Sequence, residues 1–123
     1  MATIKAYTDL QQSRKLAEIL PIESADMEYL KIKENGALVG TVPFVKDDSE
    51  VEDSAYSHTY DRIACWSLSA LLRVLPDYTL QTNTDGTVFV VCESKKPMIS
   101  DAYDNPVDAC VAMIEKLYEL KML

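Results

Sequence analysis

The sequence predicts a single two-layer α+β domain over residues 1–123, ordered α-ββ-α-ββ-α, with antiparallel hairpins packed against helices. Three observations predict it. Three segments carry a one-sided apolar stripe at helical spacing, each opened by a capping residue. Two alternating segments turn at Asn35-Gly36 and Asp85-Gly86. The stretch from Thr87 to Cys92 is nearly all apolar, as an interior strand would be.

The first helix opens at Thr8-Asp9-Leu10-Gln11, where Thr8 and Gln11 can form a capping box. Leu16, Ile19 and Leu20 supply its buried stripe, with Ala17 beside them, and Pro21 ends it after about three turns. A hairpin follows. Leu30 and Ile32 alternate with Lys31 and Lys33, and a three-residue loop, Glu34-Asn35-Gly36, places Gly36 in the left-handed region. That register pairs Ile32 with Leu38 and Glu28 with Val42, so that Leu30, Ile32, Leu38 and Val42 share one face. Residues 46–61 show no periodicity. Their first half is acidic and predicts an exposed loop, with 46–57 the most mobile interior segment.

The second helix follows Cys65-Trp66-Ser67. Ser67 is its N-cap, Trp66 and Leu71 form a hydrophobic staple, and Pro76 stops it. Leu68, Leu71, Leu72 and Leu75 form the stripe. In the second hairpin Tyr78 and Leu80 face the core. The last helix is the best marked: Asn105 caps it, Pro106 takes the first position, and Asp108 complements the dipole. Val107, Cys110, Val111, Ile114, Leu117 and Tyr118 recur at helical spacing on its core face.

Composition excludes several classes. With 12 basic and 20 acidic residues the net charge is −8, which repels nucleic acid and anionic lipid. Only Arg14-Lys15 and Lys95-Lys96 are adjacent basic pairs. No apolar run approaches a membrane span, and the first residues lack the apolar stretch of a signal peptide. The three cysteines, Cys65, Cys92 and Cys110, are odd in number and widely spaced, so they predict free thiols in a reducing cytoplasm. No cofactor is predicted, since no Gly-rich fingerprint, metalloprotease motif or nucleophile elbow occurs.

Ala6-Tyr7-Thr8-Asp9-Leu10 with Ala25-Asp26-Met27, the stretch Cys65-Trp66-Ser67-Leu68-Ser69-Ala70-Leu71-Leu72, and Asp104-Asn105-Pro106-Val107-Asp108-Ala109-Cys110 resemble a group of small bacterial proteins. These are carried by prophages and mobile elements of gut bacteria. The resemblance implies a bacterial cytosolic protein of accessory type. It brings no known activity and no functional residues.

The candidate functional residues are few. Cys65 precedes a helix cap, where the positive helix end can lower a thiol pKa, and His58, the one histidine, lies seven residues upstream. Together they would make a small thiol enzyme. Against this, a free Cys beside Trp66 is more simply core. Asp47, Asp48, Glu50, Glu52 and Asp53 could gather around a divalent cation, but they lack the Gly and the ligand spacing of a calcium loop. A solvated charge run is the simpler reading. Tyr56 and Tyr60 fall in the predicted loop, in a chain of 7 tyrosines, and Tyr is favoured at interfaces. The sequence therefore favours a non-enzymatic protein-binding accessory module whose partner is a host protein, a phage protein or a second copy.

Overall fold

A computed structural model of the chain describes residues 5–40, 42–45, 60–93 and 97–123. Helix α1 (Leu10–Ala17) and a single 3₁₀ turn (Ile22–Ser24) lead into β1 (Met27–Ile32), β2 (Phe44–Val45) and β3 (Tyr60–Cys65). Helix α2 (Leu68–Val74) then precedes β4 (Tyr78–Thr82), β5 (Val88–Cys92), β6 (Met98–Ile99) and helix α3 (Pro106–Glu119). The architecture is α+β, as the patterning predicts. Each expected hairpin is enlarged by one strand, giving two antiparallel three-stranded sheets ordered β2-β1-β3 and β4-β5-β6. Helix α1 packs on β3, and α3 packs on β5 and α2.

The cap of α1 lies one residue later than the sequence suggested. Asp9 Oδ1 accepts from the Gln12 N–H at 2.8 Å, and Gln12 Oε1 accepts from the Asp9 N–H at 3.1 Å. Thr8 is fully buried and otherwise engaged. Its N–H donates to the Trp66 carbonyl at 2.9 Å, and its hydroxyl oxygen accepts from the Trp66 N–H at 3.1 Å. The helix also ends at Ala17, a turn before Pro21, so Ala17 is exposed while Leu16 and Leu20 are buried.

The first hairpin differs most from its expected register. Lys31 faces Leu38, Glu28 faces Phe44 and Met27 faces Val45. The turn contains four residues, because the Ile32 carbonyl accepts from the Gly36 N–H at 2.7 Å and the Ile32 N–H donates to Ala37 at 2.8 Å. Gly36 has φ +74°, the left-handed geometry its position required. Beyond Leu38 the returning chain leaves the ladder at Gly40, also at positive φ, and Pro43 has no N–H to give. It rejoins β1 at Phe44. Leu38 and Val42 are therefore exposed rather than in the core.

Strand β3 falls partly in the stretch read as loop. It pairs with β1 from Met27↔Cys65 to Ile32↔Tyr60 and makes β1 the central strand. Glu28, Tyr29 and Leu30 are consequently buried in succession, on both faces. Tyr60, expected on an exposed loop, is half-buried opposite Ile32.

The second half follows its prediction closely. Ser67 caps α2 by accepting the Ala70 N–H at 3.2 Å, with Trp66 and Leu71 both fully buried. In the second hairpin Leu80 faces Val90, and Gly86 at φ +90° closes the turn. Tyr78 is exposed, contrary to its assignment to the core, because it sits at the outer end of an edge strand. Strand β5 is central, with Val88, Val90 and Cys92 buried on the face that meets α3. Helix α3 is capped by Asn105, which accepts the Asp108 N–H at 2.9 Å. It buries Val107, Ala109, Cys110, Val111, Met113, Ile114 and Leu117. Tyr118 was assigned to the same stripe but is half exposed: it lies at the stripe's edge, next to the fully buried Leu117, and lines a surface depression with Lys15 and Ile19 of the α1 side. Among the described residues no helix is long and apolar enough to cross a membrane.

Candidate functional site

Cys65 ends β3 in a closed polar pocket. Its thiol donates to the Thr8 carbonyl at 3.4 Å and accepts from the Thr8 hydroxyl at 3.5 Å. Ser13 Oγ lies 2.7 Å from that hydroxyl, and the Tyr29 hydroxyl donates to the same carbonyl at 2.8 Å. Burial pushes the Cys65 thiol up, and the hydrogen bonds around it offset this only in part. The N-terminus of α2 does not reverse that shift. Asp26 takes the Ser67 N–H at 2.9 Å and the Ser67 hydroxyl, placing a carboxylate where a thiolate would need the positive end. A buried, protonated thiol is the opposite of an activated nucleophile. His58 lies outside the described residues.

The other thiols belong to the core. Cys92 is buried on β5, and burial beside Cys92 pushes the Cys110 thiol up to about 12. All three cysteines are free. Native protein should therefore resist alkylation at every thiol, whereas denatured protein takes the label at all three, as read by intact mass. A cysteine labelled rapidly near neutral pH would contradict the burial of that residue. The raised pKa values also set an alkaline limit. Unfolded thiols ionise from about pH 8.5, while the buried ones hold their protons, so the folded state binds more protons in that window. Stability is fully present below that pH. It should fall by roughly 1.4 kcal/mol per pH unit per thiol above it, until the folded thiols ionise. Urea melts at successive pH values give the slope.

Among the described residues, Asp108 lies in a group of three charged side chains with Lys5 and Asp9. Lys5 Nζ is 2.8 Å from its Oδ1 and 3.2 Å from Asp9, while Gln12 donates to the same Oδ1 at 2.9 Å and Asn105 to Oδ2 at 2.9 Å. Burial alone would raise the Asp108 carboxyl, but these donors outweigh it and hold it low. Both oxygens are engaged, and the group clamps the start of α1 to the start of α3. It has the character of a brace rather than an acid–base pair. The candidate cation ligands Asp47, Asp48, Glu50, Glu52 and Asp53 lie outside the described residues. Among the described residues no three His, Cys, Asp or Glu side chains gather where a metal could bind.

A different surface stands out. At the β2 edge, Val42 is 54% exposed, Phe44 42% and Val45 77%. Val45 pairs with Met27, and Met27 shares a shallow depression of about 150 Å³ with Ile22, itself 53% exposed. Ile22, Val42, Phe44 and Val45 thus give this end of the sheet an apolar border that spans both faces of β2, since Phe44 and Val45 are successive strand residues, with Arg62 and Glu28 beside it, 3.3 Å apart. Scattered exposed hydrophobics are ordinary, but grouped ones mark contact surfaces. Of the two tyrosines expected to bind a partner, Tyr60 lies on the far strand of this sheet and Tyr56 lies outside the described residues. The sequence signal for the apolar border was Val42-Pro43-Phe44-Val45, a short apolar run broken by a proline. Pro43 takes the buried place and its neighbours turn outward.

No family model, no curated protein and no solved structure matches the chain.

Proposed function

We propose that the chain is a non-enzymatic protein-binding module that docks on another protein through the apolar border of Ile22, Val42, Phe44 and Val45. The observation that carries this reading is the exposure of Val45 and Phe44 at a sheet edge. Leaving such groups in water forgoes roughly 25 cal/mol per Å² of apolar surface, which a partner recovers. The sealed environment of Cys65 supports binding over thiol chemistry. The likeness of three segments to prophage-borne proteins supports an accessory role, with a host or phage protein as partner.

A photo-crosslinking amino acid placed at Val45 tests the proposal. It should capture one discrete protein from host or phage-infected lysate, and Phe44→Asp should abolish that capture without lowering the melting temperature. The same crosslinker at Arg73, exposed on α2, should capture nothing. Equal adducts at both positions, or none at Val45, would defeat the proposal. Capture that survives Phe44→Asp but is lost in Tyr56→Ala/Tyr60→Ala would move the contact to the tyrosine segment.

A further inference from the structure

The sheet edges are not equivalent. Strands β2 and β6 have two residues each and follow Pro43 and Pro97, while β3 carries Asp61 and Arg62. Short length, proline and charge are the usual devices that keep edges from pairing. Strand β4 has none of them. It runs five residues, Tyr-Thr-Leu-Gln-Thr, without a charge, in a chain of net charge −8.

Its hydrogen-bonding phase is fixed. The Asn83 N–H donates to Thr87 at 2.8 Å and the Glu93 N–H donates to Asp77 at 3.0 Å. In an antiparallel ladder, bonded and non-bonded pairs alternate, so Thr79 and Gln81 bond to Val91 and Phe89. The N–H and C=O groups of Tyr78, Leu80 and Thr82 therefore point away from β5. Among the described residues they have no hydrogen-bond partner.

We propose that β4 is a self-association edge, at which two copies pair antiparallel about a two-fold axis through Leu80 and join their sheets into one of six strands. Tyr78 then faces Thr82 of the second copy, Leu80 faces Leu80, and every outward N–H and C=O of both strands finds a partner. Slipping by two residues in either direction leaves one end unpaired. The side chains are compatible in that register. Thr79 faces Gln81, Asp77 faces Asn83 as carboxylate against carboxamide, and no like charges meet. A self-complementary, neutral strand is what two copies of a strongly acidic chain need at their contact. This edge lies in the other sheet from the Phe44–Val45 border, so the inference stands independently of the function proposed above.

The test uses the two exposed side chains that point away from α3. In this register each copy's residue 79 faces the other's residue 81. Thr79→Glu/Gln81→Glu sets carboxylates against each other twice, whereas Thr79→Lys/Gln81→Glu sets opposite charges together. Sedimentation velocity across a concentration series should show a monomer–dimer equilibrium for the wild type. The first variant should raise the dimer Kd on the order of tenfold or more, and the second should restore it to near wild type. Circular dichroism checks that both remain folded. The amides of Tyr78, Leu80 and Thr82 should gain protection from exchange as dimer forms. A wild type that stays monomeric at every concentration overturns the proposal. So does a dimer whose Kd is equal in both variants, which would place the contact elsewhere. A monomer whose β4 amides become protected only when another protein is added would assign the edge to a foreign strand and overturn self-association.

Discussion

Ile114→Asp should leave the chain unfolded in buffer. Ile114 is fully buried on α3, the helix that meets β5 and α2. A carboxylate there has no partner and no water. Burying it costs several kcal/mol, against a total stability on the order of 5–15 kcal/mol. Far-UV circular dichroism and a urea melt read the result. Tyr118→Asp, one turn further along the same helix and half exposed, should shift stability by no more than about 0.5 kcal/mol. The pair separates loss of the core from loss of helix propensity. An Ile114→Asp variant with the wild-type melting temperature would remove α3 from the core.

Trp66→Ala should cost about 3–5 kcal/mol, the usual range for truncating a buried aromatic residue. Trp66 is fully buried where β3 hands over to α2, and its indole N–H donates to Ser24 at 2.9 Å. Its loss would loosen both the sheet and the helix that follows. Trp66→Phe keeps much of the volume but leaves Ser24 without that donor, so its cost should be smaller. Urea midpoints that order wild type, Phe and Ala in that sequence support a packing role. Equal costs for Phe and Ala would mean that the hydrogen bond dominates.

The parts of the fold that were legible in the sequence are those with local causes. Asn105, Pro106 and Asp108 announce α3 because each answers a need of a helix N-terminus, and Gly36 and Gly86 mark turns that only positive φ allows. Long-range pairing was less visible. Strand β3 mixes Asp61 and Arg62 with Ile63 and Ala64, so its period is blurred, and β1 supplies the pairing that makes it a strand. The Thr8 cap failed for a similar reason: a tertiary bond to Trp66 claims the hydroxyl that a local reading gave to the helix. The candidate surface was hidden by the same effect. A hairpin register drawn from alternation alone sent Val42 inward, while Gly40 and Pro43 break the ladder and turn it out. Cys65 was found by its position before a cap, but its exposure depends on how Thr8, Ser13 and Tyr29 close over it, which no local pattern carries.

Two readings of the chain divide between Cys65 and Phe44. The most direct test is a side-by-side comparison of Cys65→Ser and Phe44→Asp in partner capture at Val45. Serine suits the polar pocket formed by Thr8, Ser13 and Tyr29, and Phe44 is partly exposed, so both variants should fold. A binding module predicts wild-type capture by Cys65→Ser and none by Phe44→Asp. Loss of capture in a folded Cys65→Ser, with capture intact in Phe44→Asp, would contradict it.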